Sequence, residues 1–140
     1  MTPNFTLAEL TITNHRSLDN TPDPAARANL QRLAVFLELV KDRLGGRPIM
    51  VNSAYRSAAV NAACGSRETS QHRLGCAADV RVPGMTPDAV VRAVMASGLA
   101  YDQIIREFDA WTHISIPNTP AAAPRKSALI IDRTGTRPFA

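Results

Sequence analysis

Two apolar segments in the second half of the chain are joined so closely that they must pair with each other. The segments span 103–108 and 111–116, and only Asp109 and Ala110 lie between them. A connection of this length turns the chain back on itself and forms an antiparallel β-hairpin. The fold is therefore predicted to contain a sheet that is antiparallel for at least part of its width.

The longest regular pattern lies upstream of the hairpin and has helical spacing. Its apolar positions are Leu30, Leu33, Ala34, Leu37, Val40 and Leu44. Asp23 can cap this helix, and Pro24 suits its first turn. The pair Gly45-Gly46 gives the helix an end. One long helix is predicted between these signals.

Shorter segments surround these two features. Further strands are predicted over 48–53, 77–82 and 127–131, and short helices over 57–64 and 86–95. The polar interval 66–75 and the stretch 119–124 are predicted to be loops. Helices and strands in mixed order, together with a hairpin, predict an α+β fold with a small, mainly antiparallel sheet flanked by helices.

Composition and charge narrow the classes of function. A chain of 140 residues with 45% hydrophobic and 20% charged residues suits a single globular domain over 1–140, which we expect to be a monomer. The net charge of +4 favours an anionic partner. Because the Lys and Arg residues are dispersed and not interleaved with aromatic residues, no nucleic-acid binding is expected.

The ends and apolar runs of the sequence bear on localisation. Residues 1–10 lack a basic segment followed by an apolar one, and no apolar run reaches the roughly 18 residues of a membrane span. We therefore expect synthesis in the cytoplasm without a signal peptide. In that reducing compartment, Cys64 and Cys76 are expected to be free thiols.

Three possible metal ligands occur in two short motifs. His72 and Asp79 lie within the segment 70–79, and His113 lies within 111–115. A catalytic zinc ion needs about three His or carboxylate ligands and one open position. Residue types alone leave another interpretation open, in which the histidines are a solvated loop residue and a hydrogen-bonded strand residue, and the aspartate makes local hydrogen bonds.

The order of the motifs resembles a known family. The pattern S-x-H-x-x-G-x-A-x-D over 70–79, followed by W-x-H over 111–113, resembles the zinc murein peptidases, which include D-Ala-D-Ala dipeptidases, D-alanyl-D-alanine carboxypeptidases and phage L-alanyl-D-glutamate endopeptidases. The segment SAYRS over 53–57 resembles the family's S-G-Y-R-S turn, and DQIIRE over 102–107 resembles the strand before its last histidine. The segment FTLAEL over 5–10 resembles the opening of the short phage-associated branch, so the likeness covers about 5–131.

The resemblance implies a fold and a metal. The expected fold is that of the D-Ala-D-Ala carboxypeptidases and hedgehog-like proteins, with a Zn²⁺ site on the sheet. His72, Asp79 and His113 are the implied zinc ligands. Zinc lowers the pKa of a bound water to about 7 and polarises the scissile carbonyl, so no Ser or Cys nucleophile is required.

The resemblance also implies roles for residues around the metal. In many family members the general base lies three residues before the last histidine, and here that position is Ala110. Glu107 and Asp109 are the remaining candidates, and strand alternation favours Glu107. Arg56 is implied to bind a substrate carboxylate or to stabilise the tetrahedral intermediate. Ser70 either binds substrate or holds the loop.

The implied function is zinc-dependent hydrolysis of peptide bonds in peptidoglycan stem peptides, as a carboxypeptidase or an endopeptidase. A phage endolysin that reaches the cell wall after the membrane is permeabilised is one setting. The missing acid at position 110 leaves a second class open. That alternative is a catalytically impaired, zinc-stabilised module that binds murein or a phage protein.

Overall fold

The computed structural model describes residues 1–139, which form five helices and six strands. The helices are α1 (Leu7–Leu10), α2 (Pro24–Arg43), α3 (Ala58–Ala63), α4 (Gln71–Leu74) and α5 (Pro87–Ala96). The strands are β1 (Met50–Ser53), β2 (Ala77–Arg81), β3 (Gln103–Glu107), β4 (Trp111–Ser115), β5 (Ser127–Asp132) and β6 (Gly135–Pro138). No helix within 1–139 is long and apolar enough to cross a lipid bilayer.

All six strands belong to one sheet, in the order β1-β2-β4-β3-β5-β6. Strands β3 and β5 run parallel, and the other neighbouring pairs are antiparallel. The predicted α+β class with a mainly antiparallel sheet is therefore confirmed. The sheet places β2 and β4 side by side near its centre, which matters because these strands carry two of the candidate metal ligands.

The predicted hairpin is formed by β3 and β4. Glu107 pairs with Trp111, and the amide of Ala110 donates to the carbonyl of Glu107 at 3.0 Å. Phe108 and Asp109 have φ values of 53° and 51°. Two consecutive positive φ values are typical of the tight turns that match the twist of a hairpin. The first strand therefore ends one residue earlier than predicted, because Phe108 belongs to the turn.

Helix α2 supplies much of the core. The Asp23 side chain accepts a hydrogen bond from the amide of Ala26 at 2.8 Å, and Pro24 is the first helical residue. One face of the helix is buried, and its buried residues are Ala26, Leu30, Leu33, Ala34, Phe36, Leu37 and Val40. They belong to the same hydrophobic cluster as the sheet residues Val80, Ile104 and Ile114. Burial of each large side chain contributes about 1.5–3 kcal/mol relative to exposure.

The interval 66–75 is not entirely the loop that was predicted, because it contains the single turn of helix α4. The Ser70 hydroxyl accepts a hydrogen bond from the amide of His72, and Gly75 ends the turn with a φ of 77°. A Cβ at position 75 would lie 2.8 Å from the carbonyl oxygen of Ala26, so a side chain does not fit there. One helical turn holds too few residues to show a period, which is why the pattern did not indicate it.

Candidate metal centre

His72, Asp79 and His113 meet on one side of the sheet. Asp79 on β2 is the direct cross-strand partner of His113 on β4, so both side chains project from the same face. His72 reaches them from α4. All three residues are buried, and one ligand atom from each lies within 4.8 Å of the others. Ligands around a tetrahedral zinc ion lie about 3.3 Å apart, so small side-chain movements suffice for this group to hold one ion.

Hydrogen bonds orient the two imidazoles. Asp79 Oδ1 lies 3.0 Å from His113 Nδ1, and Asp79 Oδ2 lies 3.3 Å from His72 Nε2. The other ring nitrogen of His72 lies 2.7 Å from the carbonyl oxygen of Ala54, so Nδ1–H donates to that oxygen. This bond selects the tautomer whose Nε2 lone pair faces the centre, which is how metal-binding histidines are commonly held. The donor set therefore fits zinc.

The ionisation of the group favours metal binding. Burial opposes the charge on Asp79, but its close polar contacts with His113 and His72 outweigh burial and hold the pKa of this carboxyl well below its usual range. Burial lowers the pKa of His72 below its usual value, which keeps the ring neutral near pH 7. Metal ligands must be an ionised carboxylate and neutral imidazoles, so both directions suit coordination.

Arg56 adjoins the ligand group and is held on three sides. Its Nε donates to the Ser53 hydroxyl at 3.1 Å and its Nη1 to the Ser66 hydroxyl at 3.0 Å. Its Nη2 lies 3.3 Å from Asp79 Oδ2 and forms an ion pair with it. The guanidinium thus supports a candidate ligand while also lining the cavity around the three ligands.

Glu107 lies on the other side of the same cavity. Its Oε1 is 3.9 Å from His113 Nδ1, and its Oε2 accepts a hydrogen bond from the indole Nε1–H of Trp111 at 3.0 Å. Burial raises the pKa of this carboxyl, and the negative charge of Asp79 raises it further. A carboxyl with a raised pKa beside a metal site has the properties of a general base.

Asp109, the other candidate for the base, points elsewhere. Its side chain is 73% exposed and forms an ion pair with Arg106 at 3.1 Å. It does not line the cavity that contains the three ligands. The geometry therefore favours Glu107 as the carboxylate that can reach a reacting water.

A family model for peptidase M15 matches residues 3–115. The chain belongs to the peptidase M15 family. It is accordingly a metallopeptidase of a family of zinc-dependent enzymes that act on peptidoglycan. No curated protein matches the chain.

Ser70 occupies a structural position in this M15 domain as well as a place in the cavity. Its hydroxyl caps α4 by accepting from the amide of His72 at 3.3 Å. The same residue lines the cavity around the ligands, so its hydroxyl is within reach of a substrate bound there. The Ser70 oxygen accepts the capping hydrogen bond, and its O–H can still donate one.

Sequence reasoning did not find every residue that organises the M15 site. Ser66 holds Arg56, Ala54 fixes the tautomer of His72, and Trp111 binds Glu107. The contact of Trp111 could have been found from the hairpin register, which makes it the partner of Glu107. The other two contacts join positions that no local pattern connects.

Cys76, which lies within the M15 motif, has no place at the site. Its residue is fully buried, and burial raises the pKa of its thiol above the usual value. It does not line the cavity around the three ligands. These features match a side chain that fills space in the core.

Proposed function

We propose that this chain hydrolyses peptide bonds in the stem peptides of peptidoglycan, with zinc held by His72, Asp79 and His113. The observation that supports the proposal most directly is the convergence of these three buried side chains, with the carboxylate of Glu107 beside them. Zinc bound by such a set supplies an activated water and polarises a carbonyl.

Glu107 is proposed to move the proton. Its Oε2 is engaged by the indole of Trp111, which leaves Oε1 on the side of His113 to accept a proton from the attacking water. The same oxygen can deliver that proton to the departing amine, since one group serves as base and then as acid in peptide hydrolysis. Catalysis by a carboxylate in this role is typically worth about 10²–10⁴-fold in rate.

Arg56 and Ser70 are proposed to bind substrate. A guanidinium carries five N–H groups, and three of those on Arg56 are used by Ser53, Ser66 and Asp79. The remaining donors can bind a substrate carboxylate or the oxyanion that forms at the attacked carbonyl. The Ser70 hydroxyl, which lines the same cavity, can donate a further hydrogen bond to the substrate.

Two bond specificities are consistent with this chemistry. A D,D-carboxypeptidase removes a terminal D-alanine, whereas an L-alanyl-D-glutamate type of endopeptidase cuts after the first stem residue and leaves that L-alanine on the glycan. Release of stem peptides that begin at D-glutamate would suit a phage endolysin that acts once the membrane is permeabilised. Trimming of single alanines would suit a cytoplasmic or wall-maturing enzyme.

The experiment that tests the proposal is digestion of purified murein, with and without chelator, followed by mass analysis of the released fragments. We expect chelator to abolish release and added zinc to restore it, and the fragment masses to identify the bond. A zinc-loaded protein that binds murein but releases nothing from any murein type would contradict the proposal and support the binding module.

A matched pair of variants tests the assignment of the base. Glu107→Gln should lower kcat by about 10²–10³-fold with zinc content unchanged. Asp109→Asn, which alters an exposed carboxylate two residues away, should retain nearly full activity. Full activity in Glu107→Gln would remove Glu107 from the mechanism while leaving the metal assignment untouched.

A further inference from the structure

A second cavity opens directly beside the metal centre. It has a volume of about 560 Å³ and shares Ser66, Ser70 and His113 with the smaller cavity, of about 330 Å³, around the three ligands. A peptide whose scissile bond lies at the metal must extend into neighbouring space. This larger cavity is contiguous with the reacting centre and is available for that part of the substrate.

The charge of the second cavity is positive. Arg67 and Arg125 line it, and no Asp or Glu residue does. Arg125 is neutralised by Asp102, which accepts hydrogen bonds from its Nε and its Nη2. Within 1–139, the side chain of Arg67 has no ion pair and no hydrogen bond. The uncompensated charge of the cavity therefore comes from Arg67.

One wall of the same cavity is apolar. Ile105 on β3 and Leu129 on β5 are direct neighbours in the parallel register, and Ile131 on β5 is the neighbour of Glu107. The apolar surface thus continues from the proposed base along the face of the sheet. Aliphatic carbons of a substrate side chain would be covered by this surface, at a gain of about 0.8 kcal/mol for each buried CH₂ group.

The part of this wall that β5 contributes lies outside the region matched by the family model. The family match ends at residue 115, whereas β5 spans Ser127–Asp132. The candidate metal ligands therefore belong to the matched region, whereas Arg125, Leu129 and Ile131 of the neighbouring cavity lie beyond it.

We propose that the second cavity is a subsite for a substrate residue that carries a free carboxylate on an aliphatic stem. Arg67 pairs with the carboxylate, and Ile105, Leu129 and Ile131 cover the carbons. The ligand class is an acidic peptide. This inference rests on the proposed hydrolysis of stem peptides, because that function brings a peptide to the adjoining metal.

The test compares two stem peptides that differ only in one group, a glutamate carboxylate that is free in one and a primary amide in the other. In the wild type, we expect the free acid to have the lower KM. Arg67→Gln should raise KM for the acid about tenfold and change KM for the amide less than twofold, because one charge-assisted contact is removed. The kcat for both peptides should be unchanged.

Arg133→Gln is the matched control, since it removes another exposed arginine that does not line the cavity. It should leave both KM values unchanged. A variant Arg67→Gln that affects acid and amide equally, or neither, would overturn the subsite. An equal loss in the control would also overturn it, because the effect would then come from overall charge.

Binding measured by calorimetry separates this inference from the proposed function. Both peptides are titrated into zinc-loaded protein, with Glu107→Gln used if the wild type turns them over. A preference for the acid that Arg67→Gln abolishes supports the subsite even if no hydrolysis occurs. Equal binding of acid and amide, in a protein that hydrolyses murein, overturns the subsite and leaves the proposed function intact.

Discussion

The centre of the sheet and its far edge are built differently. Strand β2, which carries Asp79, has four of its five residues buried, whereas all four residues of β6 are exposed. The centre is packed against α2 and holds the candidate ligands, while the β5–β6 edge lies beyond the family match. The packed centre therefore holds the candidate ligands in place, and substitutions at the exposed edge are expected to leave their geometry unchanged.

The largest effect on activity is expected from a substitution at the buried centre of the sheet. Asp79→Ala removes a candidate ligand and leaves Arg56, His72 and His113 without their shared carboxylate. We expect loss of zinc and a fall in murein-peptide release of roughly 10³–10⁴-fold, since the metal contributes several kcal/mol to the barrier. Zinc content by emission spectroscopy and fragment release by mass analysis check this, with Asp109→Asn as the control that keeps both.

The second largest effect, on stability, is expected at Asp102, which links the centre of the sheet to its far edge. The buried carboxylate of Asp102 accepts hydrogen bonds from Arg125, in the segment before β5, and from Gln71, which precedes the candidate ligand His72. Asp102→Asn should lower the free energy of unfolding by about 2 kcal/mol at pH 7, because charge-assisted bonds are lost. Urea unfolding measures the change.

Ionisation of Asp102 makes this loss of stability depend on pH. Burial raises the pKa of Asp102, but the hydrogen bonds from Arg125 outweigh burial and hold the pKa below its usual value. The ionised form therefore stabilises the fold above about pH 4, and this contribution disappears as the pH falls through the lowered pKa. The difference between wild type and Asp102→Asn should narrow as the pH falls below about 4, and a difference that grows there would contradict this account.

A smaller change at the hairpin tests positioning of the base. Trp111→Phe removes the indole donor at 3.0 Å from Glu107 while retaining an aromatic ring. We expect kcat to fall about tenfold, equivalent to one hydrogen bond, with KM and zinc content unchanged. In the Glu107→Gln background the same change should have no further effect, because the two residues act as one unit. Additive losses would show that Trp111 serves the fold alone.

The smallest effect is expected at the exposed edge. Thr136 lies on β6 and pairs with Ile131 across the last strand pair, with its own side chain exposed. Thr136→Ala should change the free energy of unfolding by less than about 0.5 kcal/mol and leave kcat and zinc content at wild-type values. A decrease of more than about 1 kcal/mol in the free energy of unfolding, measured with urea, would mean that the edge stabilises the core.

Local patterns predicted the elements better than their arrangement. The spacing of Leu30, Leu33 and Leu37 was enough for α2, and the short connection at Asp109 was enough for the hairpin. The predicted helices and strands agree with the structure to within two residues at their ends. The exceptions are α1, α4 and β6, each only four residues long, where no period develops.

Arrangement depended on contacts between residues that are far apart in sequence. Nothing local indicates that β5 runs parallel to β3, or that Arg125 binds Asp102 across 23 positions. The candidate ligands were selected by the order of motifs and not by their residue types, because two histidines and an aspartate are common without a metal. Their burial and mutual distances required the fold.

The close packing of Gly75 against helix α2 means that substitutions far from the ligands can change the affinity for zinc. Its absent side chain lets the loop between His72 and Asp79 rest on the backbone of Ala26 and on Leu30. Any substitution that shifts α2 by a few tenths of an ångström therefore alters the spacing of two candidate ligands. A substitution on this helix, remote from the ligands, should therefore be detected first as weaker retention of zinc during dialysis.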